Sequence, residues 1–422
     1  MSHITVPPHF SPASVGSRGS RRHLAASLLL DVEALSPDRT NGEIFDLFAQ
    51  RPTVISLPVT EETRPIGLIN RNIFMDSMAR PFYRELYGNK SCIAFMDKQP
   101  LIVDHLTSLQ ELSFKAVESG SKTLNDGFIL TEEGRYLGVG TGRDLVLAIT
   151  EMQAEKNRLV MESIEYAKVI QQSFLRPSRE TLSKVFPDHL LIWEPRDLVG
   201  GDYFYCRQFD DGVFIGLFDC TGHGVPGAFM TLIMASLIES SLTDTNRQNP
   251  ATVLAEVNRR VKSALGQIDH SHSERSDENV SEHGSDDGMD AAFCWIEPST
   301  SRIVFAGAHM PLIVLEPGRE IRLIEGDRWS VGYALTPMDQ TWTNHDLTLS
   351  ARTALYLTTD GLVDQPGGQK RIAFGKKRLC NLLAEHCDAP MASLRNVLTQ
   401  ALGDYQHDDT RRDDVSLMGF RI

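Results

Sequence analysis

Short apolar runs and helical stretches alternate along the first third of the chain. Runs at 53–57, 65–69, 126–131 and 136–140 are rich in Val, Ile and Leu and are bounded by polar turns, which predicts strands. Strands mixed with helices predict an α+β unit over 24–148. From 145 to 174 the chain holds neither Gly nor Pro, and Ile149, Met152, Leu159, Val160, Ile164, Ala167, Ile170 and Phe174 recur mostly at steps of three or four. That period predicts a helical linker over 149–177, closed by Pro177. Its apolar face suits a two-stranded coiled coil, with Lys156 and Ser163 as flaws near core positions, or packing against the domain that follows. Beyond Pro177, runs at 190–193, 213–218, 291–296, 302–305, 312–315 and 354–358 read as strands, with helices at 227–242, 251–265 and 376–386. This pattern predicts a β-sandwich flanked by helices over 178–422.

A chain of 422 residues is too long for one ordinary core, so several domains are expected. Its formal net charge of −14 argues against nucleic acid as the main partner, because a phosphate backbone needs a basic face. Cys92, Cys206, Cys220, Cys294, Cys380 and Cys387 show no Cys-x-x-Cys pairing, which fits reduced thiols in a cytosol. The apolar run 24–30 follows Arg21 and Arg22 and is closed by Asp31 and Glu33. It is about one-third of the ~20 residues a membrane span needs, so no membrane insertion and a cytoplasmic location are expected. Residues 1–23, with Pro7, Pro8, Pro12 and then Ser, Gly and Arg, are expected to be a disordered tail. The polar stretch between Gly266 and Gly288 reads as a solvated loop.

Chemistry enters with four acidic sites at turns beside strands: Asp202, Asp219, Asp360 and the Asp413-Asp414 pair. A carboxylate at the end of a buried strand loses hydration and needs a strong partner. Several converging carboxylates repel one another unless cations hold them together. Oxygen ligands without a His/Cys pattern favour Mg²⁺ or Mn²⁺ over Zn²⁺. Each Asp-Gly piece alone is an ordinary turn. Their joint occurrence in this order is the signal.

Val199-Gly-Gly-Asp202, Phe218-Asp-Cys-Thr-Gly-His-Gly-Val-Pro-Gly-Ala228, Ala306-Gly-Ala-His309, Thr358-Thr-Asp-Gly-Leu362, Phe374-Gly-Lys-Lys-Arg-Leu379 and Asp413-Asp-Val-Ser-Leu417 together resemble the PPM-type (phosphatase 2C-like) family, in its SpoIIE/RsbU-like branch. The resemblance spans nearly everything after residue 180, and the segment from Ile164 to Pro177 is similar to that branch's switch helix. It implies an α-β-β-α sandwich that hydrolyses phosphoserine or phosphothreonine with two Mn²⁺ or Mg²⁺ ions, a third being left open. By that resemblance Asp219 bridges the ions with help from the Cys220 backbone carbonyl, Asp202 holds one ion, and Asp360 and Asp413 hold the other. Asp414 is expected to orient the loop. His223 is a candidate acid for the leaving alkoxide or a hydrogen bond within its turn, and His309 reads as a buried structural histidine. Three departures stand out: Asp290 replaces Thr and is read as a structural contact or a further metal ligand, Met310 replaces a polar residue, and Asp364 stands where Glu is usual. The implied substrate is a phosphorylated STAS-domain protein of the anti-anti-sigma type.

In the first third, 53–73 and 128–144 share an order of strand, charged turn and second strand. Gly138-Val-Gly-Thr141-Gly-Arg-Asp144 resembles the CBS-domain motif in which Thr and Asp hold a nucleotide's ribose. The resemblance implies a CBS-like tandem, either taking an adenine nucleotide at Thr141 and Asp144 or serving as a structural pair with no ligand. The other half reads Asn70 to Ile73 and lacks that Asp. Homodimerisation is expected through the linker helix or this tandem. Two other readings compete with a phosphatase: a catalytically silent scaffold, and a nucleotide sensor acting by partner binding. Retention of Asp202, Asp219, Asp360 and Asp413 favours catalysis.

Overall fold

The computed structural model describes residues 23–267, 286–318 and 320–422. Most of the expected tail and the polar stretch 268–285 lie outside the described residues. The chain divides into two compact units, Met1–Val160 and Met161–Ile422.

The first unit is built from two halves with one order: strand position, helix, antiparallel strand pair, helix. In the first half Leu35 bridges Val59 in parallel, helix Asn41–Gln50 follows, Ser56–Glu61 pairs with Arg64–Asn70, and helix Arg71–Met78 closes. In the second half Ile102–Asp104 runs parallel to Phe128–Glu132, with helix Leu109–Glu118 and an additional short helix, Ser121–Asp126, between them. Phe128–Glu132 pairs antiparallel with Arg135–Gly140, and helix Gly142–Val185 begins directly after. The two hairpins repeat in detail. Thr60-Glu-Glu-Thr-Arg64 and Thr131-Glu-Glu-Gly-Arg135 form the turns, Glu62 and Glu133 have φ of 55° and 51°, and register shifts fall at Val59/Thr60 and Leu130/Thr131. Phe48, Leu57, Ile69 and Phe74 form one core and Leu112, Phe128, Leu130 and Leu145 another. Leu68, Ile129 and Val139 pack together between them.

The helix Gly142–Val185 does not stop at Pro177, as its sequence predicts, but runs eight residues further. An interior proline costs about 3 kcal/mol. Past Met161 this helix buries Gln171, Leu175, Ser178 and Leu182 along one face, with Phe186 just beyond its end. Each fully buried large apolar side chain contributes about 1.5–3 kcal/mol, so Leu175, Leu182 and Phe186 outweigh the proline. Leu159, Val160 and Phe174 of the expected coiled-coil seam are about half exposed.

In the second unit two antiparallel five-stranded sheets stack. One has the order His345–Thr348, Arg302–Ala308, Met289–Glu297, Val213–Cys220, Asp202–Gln208. The other has the order Arg322–Ile324, Leu312–Leu315, Ala354–Thr358, Val415–Arg421, His189–Glu194. Period-two alternation divides their side chains. Leu355, Leu357, Met418 and Phe420 join the core shared with the first sheet. Ala354, Tyr356, Val415 and Leu417 join a second core with Leu379 and Leu383 of helix Lys376–Glu385 and Leu394 and Leu398 of helix Met391–Gln406. Helices Gly224–Ser241 and Pro250–Leu265 cover the first sheet's other face. The layers are therefore helix, sheet, sheet, helix. Gly224–Ser241 is also long and apolar enough to cross a membrane, but half of it is buried in this core.

Candidate active site

The pairing register assembles the acidic residues. Asp202 lies directly opposite Asp219 on the neighbouring strand, and Asp219 lies directly opposite Asp290 on the next. Three carboxylates thus stand in a row across three strands, an arrangement in which like charges repel. The second sheet brings Asp360, at the start of helix Asp360–Val363, and Asp413, just before strand Val415–Arg421. Asp219 and Asp360 both line one cavity.

Glycines bring the backbone in close. A Cβ on Gly201 would stand 2.4 Å from the Gly222 carbonyl oxygen and 2.9 Å from that of Cys220, so only hydrogen fits there. At Gly361 a Cβ would fall 1.9 Å from the Asp414 carbonyl oxygen.

Hydrogen bonds fix Asp202 and Asp414 differently. Thr359 Oγ1 donates to Asp202 Oδ2 at 2.8 Å and accepts from the Ser416 amide at 3.1 Å, tying the two sheets together. Asp202 Oδ1 is buried with no hydrogen-bond partner. Asp414 accepts the amides of Arg196 and Gly201, each at 2.6 Å, one on each carboxylate oxygen. It therefore holds the loop that leads into Asp202.

Burial, then the charges of Asp202, Asp360, Asp413 and Asp290, push the Asp219 carboxyl up to about 11. Burial likewise raises Asp202 to about 7, with the Asp414 charge adding to the rise and the Thr359 hydroxyl opposing it. Asp360 is raised by burial and then by Asp413 and Asp364. Each shift says that the converging carboxylates disfavour bare negative charge here and that a cation among them would be favoured. An all-oxygen donor set, an orphaned carboxylate oxygen and this electrostatic demand fit a hard divalent ion. Among the described residues no three His, Cys, Asp or Glu side chains close on one point in metal-holding geometry. Asp219, Asp290 and Asp360 instead flank the shared cavity.

The histidines differ from their sequence reading. His309 is not buried: its side chain is 57% exposed, its φ is 64°, and Nδ1 lies 3.2 Å from Asp290 Oδ2. It follows the buried strand Arg302–Ala308 and so stands at the strand's open end. Ser330 Oγ also donates to Asp290. His223 precedes helix Gly224–Ser241, and its Nδ1 lies 3.0 Å from Asp197 Oδ2.

Two residues the sequence did not single out hold the site. Thr359 is one, legible only as the residue before Asp360. Gln171 is the other: Nε2 donates to the Gly200 carbonyl at 2.7 Å and to Thr231 Oγ1 at 3.1 Å, and Oε1 accepts the Gly200 amide at 3.3 Å. A buried polar residue on an apolar helix face was its only signal. In the first unit Thr141 Oγ1 donates to Asp144 Oδ2 at 2.7 Å and accepts the Asp144 amide at 3.1 Å. Asn70 Oδ1 takes the Ile73 amide at 3.1 Å in the matching place of the other half.

Comparison with known proteins bears on the family and fold of the second unit. The family described as Stage II sporulation protein E (SpoIIE) matches residues 210–422. The SiaA-PP2C domain of Pseudomonas aeruginosa is similar at 31% identity, covering 64% of this chain and 99% of that one, with a TM-score of 0.55. The phosphatase domain of SpoIIE from Bacillus subtilis, with a fragment of its regulatory domain, shares 15% identity over 56% of this chain and 61% of that one, at a TM-score of 0.42. No curated protein matches the chain. With its second unit matched by the family and by a domain of known fold along nearly that domain's whole length, the chain belongs to the SpoIIE family of PP2C-type serine phosphatases.

Proposed function

We propose that this chain is a Mn²⁺- or Mg²⁺-dependent protein serine/threonine phosphatase. The observation that carries the reading is the row Asp202, Asp219, Asp290 across three strands, with Asp360 and Asp413 brought to it from the second sheet. Asp202, Asp219, the Cys220 carbonyl, Asp360 and Asp413 would hold the ions. Bound there, divalent ions supply an acidified water and charge neutralisation at the phosphoryl oxygens. Thr359 and Asp414 keep Asp202 and its loop in place. His223, oriented by Asp197, is the group that delivers a proton to the departing serine oxygen.

The substrate is a phosphorylated STAS-domain regulator of the anti-anti-sigma type, a reading that rests on the SpoIIE/RsbU-like motifs. The first unit acts as a CBS-like regulatory tandem, supported by its repeated halves, and takes an adenine nucleotide at Thr141 and Asp144. The half-exposed Leu159, Val160 and Phe174 support a homodimer through the long helix. The protein works in the cytoplasm.

The test is release of inorganic phosphate from a phosphoserine-bearing STAS-domain protein by the full chain with Mn²⁺. Release that stops when Mn²⁺ is chelated supports the reading. Mn²⁺ binding without release from any phosphoprotein would put the silent scaffold first.

A further inference from the structure

The cavity beside the carboxylates measures about 150 Å³, and Asp219, Asp290 and Asp360 share its lining with aliphatic side chains. Met310, Ile313 and Leu379, exposed by 5%, 3% and 1%, give it an aliphatic wall. Lys376 lines it as well. This lysine opens helix Lys376–Glu385, whose first turn reads Lys376-Lys377-Arg378 with no acidic residue. Cations at a helix N-terminus oppose its dipole and destabilise it unless an anion is drawn there. Arg378 is turned to the carbonyls of Ala373 and Phe374, so Lys376 is the member of the trio that faces the cavity.

Two chemistries therefore meet in one space. Beside Asp219, Asp290 and Asp360, bound divalent ions would hold a phosphoryl group, and Lys376 would complement the same dianion. The aliphatic wall has no use for a phosphate. An apolar cavity of about this size takes a group as large as benzene, which corresponds to one bulky side chain. A carboxylate or amide placed there would give up hydration without gaining a partner.

We propose that this cavity is a substrate subsite that receives a bulky aliphatic side chain next to the phosphoserine, while Lys376 contacts the phosphoryl group. The proposal rests on the phosphatase reading above and adds a substrate class to it: phosphoserine segments flanked by Leu, Ile, Val or Met. Met310 and Ile313 set the preference, and Leu323, 37% exposed, sits at the rim of the same cavity.

The test compares two synthetic phosphopeptides that differ only in carrying Leu or Asp on both sides of the phosphoserine. The full chain is assayed with Mn²⁺, with p-nitrophenyl phosphate in parallel. Burial of one aliphatic side chain predicts a kcat/KM about tenfold or more higher for the Leu peptide. Leu323→Asp, at an exposed rim where folding is not at stake, is expected to shrink that ratio at least about threefold. Lys376→Gln is expected to raise KM for both peptides and leave the ratio unchanged. Equal kcat/KM for the two peptides overturns the proposal, as does a preference that Leu323→Asp leaves intact. Turnover of p-nitrophenyl phosphate with neither peptide cleaved overturns it too. Absence of Mn²⁺-dependent turnover of all three is a different failure, because it removes the phosphatase reading itself.

Discussion

Replacing Gln171 by Leu keeps the side chain's girth and removes three hydrogen bonds at once. The lost bonds are those from Nε2 to the Gly200 carbonyl and to Thr231 Oγ1, and that from the Gly200 amide to Oε1. Gln171 is 1% exposed and Gly200 is buried, so water does not replace the missing partners. Each buried polar backbone group left unsatisfied costs about 1–3 kcal/mol. Two such groups on Gly200 give about 2–6 kcal/mol, and relaxation of the loop brings the expectation to the lower half of that range. Gly200 lies two residues from Asp202, so the loss also loosens one of the carboxylates. The assay is urea denaturation followed by tryptophan fluorescence. Trp193, Trp295, Trp329 and Trp342 are the only tryptophans and all belong to the second unit, so the signal reports that unit alone. The midpoint should fall with the slope unchanged, and Mn²⁺ affinity measured by calorimetry should weaken. A loss below about 0.5 kcal/mol with Mn²⁺ affinity intact would refute the argument, because it would mean that Gly200 finds other partners.

Further outcomes follow from single observations. Gly201→Ala would place a Cβ 2.4 Å from the Gly222 carbonyl oxygen, so activity should be abolished while far-UV circular dichroism still reports a folded chain. Asp414→Asn turns one acceptor into a donor against the amide of Arg196 or Gly201 and should cost about 2–3 kcal/mol in the same urea assay. Asp126 in the first unit is raised above its ordinary 3.8 by burial and then by Asp97. The folded form therefore holds its proton longer than the unfolded one, and stability present below pH 3.8 is lost as pH rises through the raised value. Asp126→Asn should remove that loss, read as slower hydrogen exchange at neutral pH in strand Phe128–Glu132, provided Asn70 Nδ2 keeps its 2.8 Å bond to Oδ1. Deleting residues 1–150 should change the rate or the Mn²⁺ requirement, and an unchanged rate under all conditions would contradict regulation by the first unit.

Much of the architecture was legible because local signals agreed with the global fold. Runs at 213–218, 312–315 and 354–358 are β-branched or aromatic, end at turn residues, and became strands. The repeat in the first unit was visible in the matching turns at 60–64 and 131–135. Strands Asp202–Gln208 and Val415–Arg421 were not foreseen, although they carry Asp202 and follow Asp413. Propensity does not tell where strands pair, and the alignment of Asp202, Asp219 and Asp290 exists only through that register. Asp290 could be seen as an extra acid but not as the third carboxylate in a row. Pro177 misled because a local rule was outweighed by the burial of Leu175 and Leu182. His309 misled because an apolar neighbourhood in sequence said nothing of the open end at which its strand stops. Lys376 and Met310 meet in one cavity across elements more than sixty residues apart, and no spacing rule reaches that far.

The central claim is that the converging aspartates make a metal-dependent phosphatase. Its most direct test is the rate of p-nitrophenyl phosphate hydrolysis by the full chain with and without Mn²⁺, for wild type and Asp219→Asn. Metal stabilisation of a transferring phosphoryl group is worth several kcal/mol. Turnover is therefore expected to require Mn²⁺ and to fall by about 10³-fold or more in Asp219→Asn, with both proteins folded. Turnover that is indifferent to Mn²⁺, or that survives Asp219→Asn, would contradict it.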